Sequence, residues 1–344
     1  MFISIIIPVY NGEKTINRTL DSLIQQTCNE FEVIVIDDGS TDKTKDILKN
    51  YKALFKNANR QIKIINQENS GVSVARNRGI IEARGKYVAF LDSDDYLSPS
   101  MVQVVFDCTN QMNYDYVIYG FYALENNEQK ELDYYKAYTM NGQLELKEKL
   151  NELLPTRILN SPCNKLYKNE LLQKYSIRFN RNLSLGEDLN FNLKYYFKIC
   201  NLKIIEDRLY VIDKSNSYLS IKYRENYYKD RISALREMKE TFRKNGMDEE
   251  VFNWLYVKLV YACIFNIFRS ESSLSRNEKV RFLEKILCEA EVKVALESFK
   301  PSNIYQKVLL VILKSNKVNF IILSANIFHK FKRFAPMSLR KLSV

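Results

Sequence analysis

The sequence predicts an α/β chain: a doubly wound, mostly parallel sheet flanked by helices over residues 1–222, then an α-helical module over 223–344. Three observations predict it. Residues 2–8, 31–36 and 62–65 are short, mostly apolar runs that read as strands, and 87–91 has the length and continuous hydrophobicity of a strand buried on both faces. Between them apolar residues recur at helical spacing, so strand and helix alternate three times in roughly the first 90 residues. From about Tyr223 strand-like runs cease and helical spacing takes over.

The first strand ends in Pro8-Val9-Tyr10-Asn11-Gly12, a turn, and Ile16, Leu20, Leu23 and Ile24 mark a helix reaching Gln26. The second strand runs into Asp37-Asp38-Gly39-Ser40-Thr41-Asp42, where Thr41 or Asp42 can cap a helix carrying Ile47, Leu48 and Tyr51. Glu68-Asn69-Ser70-Gly71 is a turn after the third strand, and residues 72–83 form a helix bearing Arg76 and Arg78. Further on, 102–107 reads as helix, 114–120 as strand, 121–143 as an irregular hairpin or loop, and 202–212 as a closing strand. Beyond Tyr223 the helical positions include Ile232, Leu235 and Met238, then Leu255, Leu259 and Cys263, then Val280, Leu283 and Leu287, predicting four or five helices.

The strand at 87–91 runs straight into Asp92, Asp94 and Asp95. Ionised carboxylates cannot stay inside a buried strand, so they lie where it leaves the sheet at its C-terminal edge. Open α/β sheets hold ligands there. Clustered carboxylates repel unless a positive charge sits among them, and a hard divalent cation that holds a diphosphate meets that need. The alternative is a solvated turn, with Asp95 capping a helix at Tyr96. Asp37 and Asp38 reach the same edge, where carboxylates accept from a uracil imide or ribose hydroxyls, and Arg76 can meet phosphate or base edges. Taken alone, Asp38-Gly39 is equally a generic turn and Arg76 a solvated helix face. No Gly-x-Gly-x-x-Gly follows the first strand, which disfavours a dinucleotide site.

Composition narrows the class. With 344 residues, 46% apolar and 27% charged, the chain is ordinary for a globular protein. Its six cysteines are scattered with no Cys-x-x-Cys pair, and His329 is its one histidine. That argues against zinc and a disulfide framework and for a reducing cytoplasm. The first residues lack a basic stretch and a cleavage site and read as a strand, and no run of about 18 apolar residues predicts a membrane span. The net charge is +11, yet nine lysines and arginines and no acid lie within 299–344, so everything before is close to neutral. A net positive charge concentrated in an apolar-rich tail points to an anionic membrane surface rather than nucleic acid; the alternative is a terminal helix packed on the core with solvated lysines.

The motifs Pro8-Val9-Tyr10-Asn11, Val35-Ile36-Asp37-Asp38-Gly39-Ser40-Thr41-Asp42, Asn69-Ser70-Gly71-Val72-Ser73-Val74-Ala75-Arg76-Asn77 and Phe90-Leu91-Asp92-Ser93-Asp94-Asp95 resemble those of family 2 glycosyltransferases with the GT-A fold. The resemblance covers roughly the first hundred residues. It implies an inverting transferase that uses a UDP-sugar with Mn2+ or Mg2+. Pro8, Tyr10, Asp37, Asp38 and Arg76 would contact uridine, and Asp94 would ligate the metal. Asp92 would hold ribose or a metal-bound water, with Ser93 beside it on the donor; the role of Asp95 stays open.

Leu185-Gly186-Glu187-Asp188 opens a helix whose apolar face is Leu189, Leu193 and Tyr196-Phe197. A carboxylate at a helix N-terminus is kept ionised by the dipole, and transfer with inversion needs such a group to deprotonate the acceptor hydroxyl. A first-turn acid is also ordinary helix capping. The resemblance favours catalysis, since Gly-Glu-Asp looks like the family's acidic motif: Asp188 is the base, with Glu187 its alternate or an acceptor contact. Asn164-Lys165 resembles another recurring motif, placing Lys165 at the diphosphate or acceptor, or in a structural role. Residues 213–217 resemble a loop that closes over the diphosphate, with Lys214 where many relatives carry a histidine. The reading is a transferase that adds one sugar to a lipid-linked cell-surface glycan from the inner face of the membrane, with self-association through the helical module open. The rivals are a catalytically idle scaffold acting as a membrane-associated interaction module, and a nucleotidyltransferase.

Overall fold

The computed structural model describes residues 1–125, 128–132, 136–214, 223–268, 272–301, 304–315 and 317–331. The chain divides into two compact units, Met1–Asn182 with Glu187–Ser217, and Leu183–Gly186 with Tyr218–Val344.

The first unit is a mixed α/β sheet flanked by helices. Its opening half is β1 (Ile3–Val9), α1 (Ile16–Ile24), β2 (Phe31–Asp37), α2 (Thr44–Asn57), β3 (Gln61–Asn66), α3 (Val72–Glu82) and β4 (Tyr87–Phe90). Strands β3, β2, β1 and β4 lie side by side and parallel, with Ile6 opposite both Ile34 and Phe90. Every residue of β1, β2 and β4 is buried, Glu32 of β2 among them by accepting from Ser4 Oγ at 2.6 Å, whereas β3 at the sheet's edge is only partly buried. Parallel pairing brings the C-terminal ends of the three strands to one edge. Helix α3 lies close to β1 because Gly79 has no side chain: a Cβ there would stand 2.2 Å from Ile6 Cγ2.

The other half departs from a purely parallel sheet. After β5 (Tyr96–Leu97), α4 (Met101–Gln111), β6 (Tyr116–Glu125), β7 (Glu128–Leu132), β8 (Tyr138–Asn141) and α5 (Gln143–Leu153) come β9 (Lys165–Lys168), α6 (Asn169–Lys174), α7 (Glu187–Tyr196) and β10 (Asn201–Asp213). Strand β9 inserts antiparallel between β4 and β6, and β10 runs parallel to β6. Two expectations are corrected and one is narrowed. Tyr96 opens a strand on β10 rather than a helix, so Asp95 caps nothing. Of the irregular hairpin or loop expected over 121–143, the described residues take the hairpin, β7 pairing antiparallel with β6, and β8 adds to β10. Helix α2 begins at Thr44 with Lys43 at its cap. Asp42 instead accepts from the Thr44 amide at 3.0 Å, and the Thr41 amide donates to Asn11.

In the second unit the described residues form six helices rather than four or five: α8 (Tyr227–Lys244), α9 (Glu250–Ile267), α10 (Arg276–Leu287), α11 (Ala290–Ser298), α12 (Ile304–Lys314) and α13 (Val318–Phe331). Helix α9 is buried along Phe252, Tyr256, Val260, Ile264 and Ile267, and α10 starts with a capping box between Ser275 and Glu278. Among the described residues no helix is long and apolar enough to cross a membrane. Residues 215–217 of the expected closing loop, and the basic residues Lys332, Arg333, Arg340 and Lys341, lie outside the described residues.

Candidate active site

Five chain segments meet at the C-terminal edge of β1, β2 and β4: the turns after β1 and β2, the turn into α3, the exit of β4 and the first turn of α7. The turn after β1 is stitched to the turn after β2: the Asp38 amide donates to the Val9 carbonyl, the Asn11 amide to Ser40 Oγ, and the Gly12 amide to Thr44 Oγ1. Pro8 is buried within β1, whereas Tyr10 stands half exposed beside it. Asp37 is fully buried; Oδ1 accepts from the Ser40 amide and Oδ2 has no partner among the described residues. Asp38 organises the approach to α3, accepting from Gln67 Nε2 and the Ser70 amide on Oδ1 and from the Gly71 amide on Oδ2. Gly71 sits at φ 90°, a backbone open to glycine, which lets α3 start directly from that turn.

Arg76, one turn into α3, is 4% exposed and carries the architecture of the site. Its Nη2 donates to Asp92 Oδ1 at 2.8 Å and its Nη1 to Asp188 Oδ1 at 2.8 Å. One guanidinium thereby joins the exit of β4 to the first turn of α7. The planar fork makes this pairing available to arginine and not to lysine. The guanidinium also lies over Phe179, 5.2 Å from its ring centroid, and Phe179 stacks on Phe191 at 3.9 Å. Asn77 fixes Phe179 by donating to its carbonyl and accepting from its amide, both at 2.8 Å. Asn77 stood inside a quoted motif without a role, and Phe179, in a loop without periodicity, gave no sequence signal.

The acidic cluster is differentiated. The Asp94 carboxyl is pushed above the usual range, by desolvation among its neighbours first and by the Asp92 charge second. Asp95 is buried, accepts from Tyr210 Oη at 2.7 Å and the Asp213 amide at 2.9 Å, and burial beside Asp92 and Asp94 pushes it up to about 8. Asp95 thus ties the acidic turn to β10. Arg18 reinforces the tie, pairing with Asp213 and donating to the Asp94 carbonyl at 2.7 Å. Ser93 contributes its carbonyl to Thr19 Oγ1. Among the described residues no three His, Cys, Asp or Glu are grouped to hold an ion by themselves. Asp92 and Asp94 offer two hard carboxylate donors, the ligand type that a magnesium- or manganese-like cation would take.

Asp188 is pushed up to about 6, with burial the largest cause, opposed by Arg76. Its Oδ2 has no hydrogen-bond partner among the described residues, so one oxygen is held and the other is available to a proton. Glu187, next to it, is partly exposed. Lys165 is the expected ligand contact that the geometry sets apart. Its ammonium is fully buried, donating to the carbonyls of Ile158 and Ser161 and to Asn164 Oδ1, so it braces residues 158–164 instead of facing a ligand. Lys214 pairs with Glu125 at 2.7 Å.

The family model for glycosyl transferase family 2 matches residues 4–176. EpsJ, an uncharacterized glycosyltransferase of Bacillus subtilis (strain 168), is 32% identical over 224 residues, 64% of each chain. The poly(ribitol-phosphate) beta-glucosyltransferase of Bacillus spizizenii is 30% identical over 252 residues, 69% of this chain and 37% of that one. The chain thus spans about two-thirds or less of these relatives' lengths. Among solved structures, residues 1–349 of S. aureus TarS in complex with UDP superpose with a TM-score of 0.65 at 22% identity, covering 96% of this chain and 91% of that one. The same fragment is also solved with UDP-GlcNAc. At that identity the likeness is one of fold.

Proposed function

The chain belongs to glycosyl transferase family 2, and from that premise we propose that it moves one sugar from a UDP-sugar to a hydroxyl of a cell-surface polysaccharide precursor, with inversion at the anomeric carbon. The observation that carries the reading is the single buried arginine holding Asp92 and Asp188 together at the edge where the strands end. TarS, with UDP and UDP-GlcNAc bound, and the B. spizizenii glucosyltransferase support a UDP-linked hexose or N-acetylhexosamine donor and a polyol or glycan acceptor. The acceptor is lipid-linked in this reading, and the chain works at the inner face of the membrane, with 1–222 as the transferase domain.

The residues divide the work. Tyr10, half exposed, is available to stack on uracil, and Asp37 and Asp38 end the strand that faces the nucleoside. Asp94, with Asp92, would hold a divalent cation, whose charge would neutralise the leaving diphosphate. Arg76 keeps Asp92 and Asp188 in register. Asp188 Oδ2 takes the acceptor proton as the hydroxyl attacks the anomeric carbon from the face opposite the diphosphate. Glu187 stands beside it to orient the acceptor.

Calorimetric titration of UDP with manganese, with magnesium and with chelator tests the reading. Metal-dependent binding that weakens at least tenfold in Asp94→Asn is expected. Binding indifferent to both metal and Asp94→Asn contradicts the roles given to the acidic turn.

A further inference from the structure

Helices α12 and α13 carry an apolar face that their own packing does not use. Helix α12 buries Leu309, Leu310, Ile312 and Leu313, yet Ile304, Val308 and Val311 are 76%, 40% and 67% exposed. Spacing of i, i+4 and i+7 sets these three in one line along the helix. Lys307 and Lys314 are exposed on the same side and border that line along one edge. In α13, Val318, Ile321 and Ile322 turn inward while Phe320 and Leu323 stand 48% and 57% exposed. No ion pair among the described residues engages Lys307, Lys314 or Lys317.

We infer that this face of α12 and α13 docks on an anionic lipid bilayer, its aliphatic and aromatic side chains entering the headgroup boundary and its lysines meeting lipid phosphates. Charge selects the occupant. The stretch 299–344 holds nine basic residues and no acid, while the rest of the chain is close to neutral. A second copy stacked face to face would set lysine against lysine. A soluble polyanion would use the lysines and leave the aliphatic line idle. A bilayer uses both. The helices lie on it rather than cross it, since over their described residues neither is long and apolar enough to span. The inference stands apart from catalysis, because a chain inert toward every nucleotide-sugar would still bind this way.

The test is co-sedimentation of the full chain with vesicles of phosphatidylcholine alone or mixed with phosphatidylglycerol, read without any turnover. Binding to the mixed vesicles only is expected. Val311→Asp should weaken it at least tenfold, and Lys307→Gln by about fivefold, the effect of one basic residue at an anionic surface. Val308→Ser, a milder change at an exposed position, should weaken it as well, and unaltered melting curves would show all three variants folded. Absence of binding overturns the inference. So does equal binding to phosphatidylcholine alone, or binding that survives Val311→Asp and Val308→Ser but is competed away by soluble polyphosphate, which would leave charge as the only attraction.

Discussion

Replacing Arg76 tests the feature on which the site is built. Its guanidinium is 5% exposed as a side chain and spends one arm on each of two carboxylates that are 37% and 30% exposed. Removing one partner of a buried pair costs about 3–5 kcal/mol. Water reaching the two carboxylates lowers that toward its lower bound, about 3 kcal/mol for Arg76→Ala. For a unit of this size such a loss lowers Tm by about 6–12 °C. Arg76→Lys should fall between, because a point ammonium can reach one carboxylate well but not both. There is a catalytic consequence of known sign. Arg76 holds Asp188 down against burial, so its loss moves Asp188 further up and shifts the acid limb of kcat/KM to higher pH. Differential scanning fluorimetry with pH–rate profiles of the two variants gives both readouts. An Arg76→Lys protein equal to wild type in Tm and in its acid limb would refute the argument that one fork must hold both carboxylates.

Other predictions concern neighbouring groups. With Asp188 up to about 6, kcat/KM of the unaltered chain should rise through about pH 6, and Asp188→Asn should lower kcat by about 10²–10⁴-fold with UDP binding intact. Asp95, up to about 8, lends stability that is complete below the ordinary carboxylate range and drains as pH rises through about 8. Between pH 7 and 9 this group should cost the unaltered chain about 1.4 kcal/mol that Asp95→Asn does not lose, measurable by urea unfolding at the two pH values. Gly79→Ala places a methyl 2.2 Å from Ile6 Cγ2 and should destabilise by about 1–3 kcal/mol despite alanine's better helix propensity.

Most of the parallel half of the sheet was legible because β1, β2 and β4 are buried on both faces, and that burial writes apolar runs such as Ile5-Ile6-Ile7 and Val33-Ile34-Val35. The acidic turn was legible for the same reason: carboxylates that follow such a run can only sit at its exit. Strand β9 was not, since Lys-Leu-Tyr-Lys is four residues long with a lysine at each end, and its burial comes from neighbours distant in sequence. Arg76 was legible as a candidate but not as a brace. Helix α3 buries Ser73, Ala75, Arg76, Gly79 and Ile80, a face of mostly small residues that no apolar stripe announces. Lys165 shows the converse. A lysine in a recurring motif reads as a ligand contact, and only the fold reveals that Ile158, Ser161 and Asn164 already surround its ammonium.

The central claim is metal-assisted transfer from a UDP-sugar at the edge shared by Asp92, Asp94 and Asp188. Its most direct test is UDP release from a panel of UDP-sugars, with manganese or chelator, for the unaltered chain, Asp94→Asn and Asp188→Asn. The account predicts release from one donor, abolished by chelator and by either substitution, with UDP binding retained in Asp188→Asn. Release that persists in both variants, or a chain that binds no UDP at all, would contradict it.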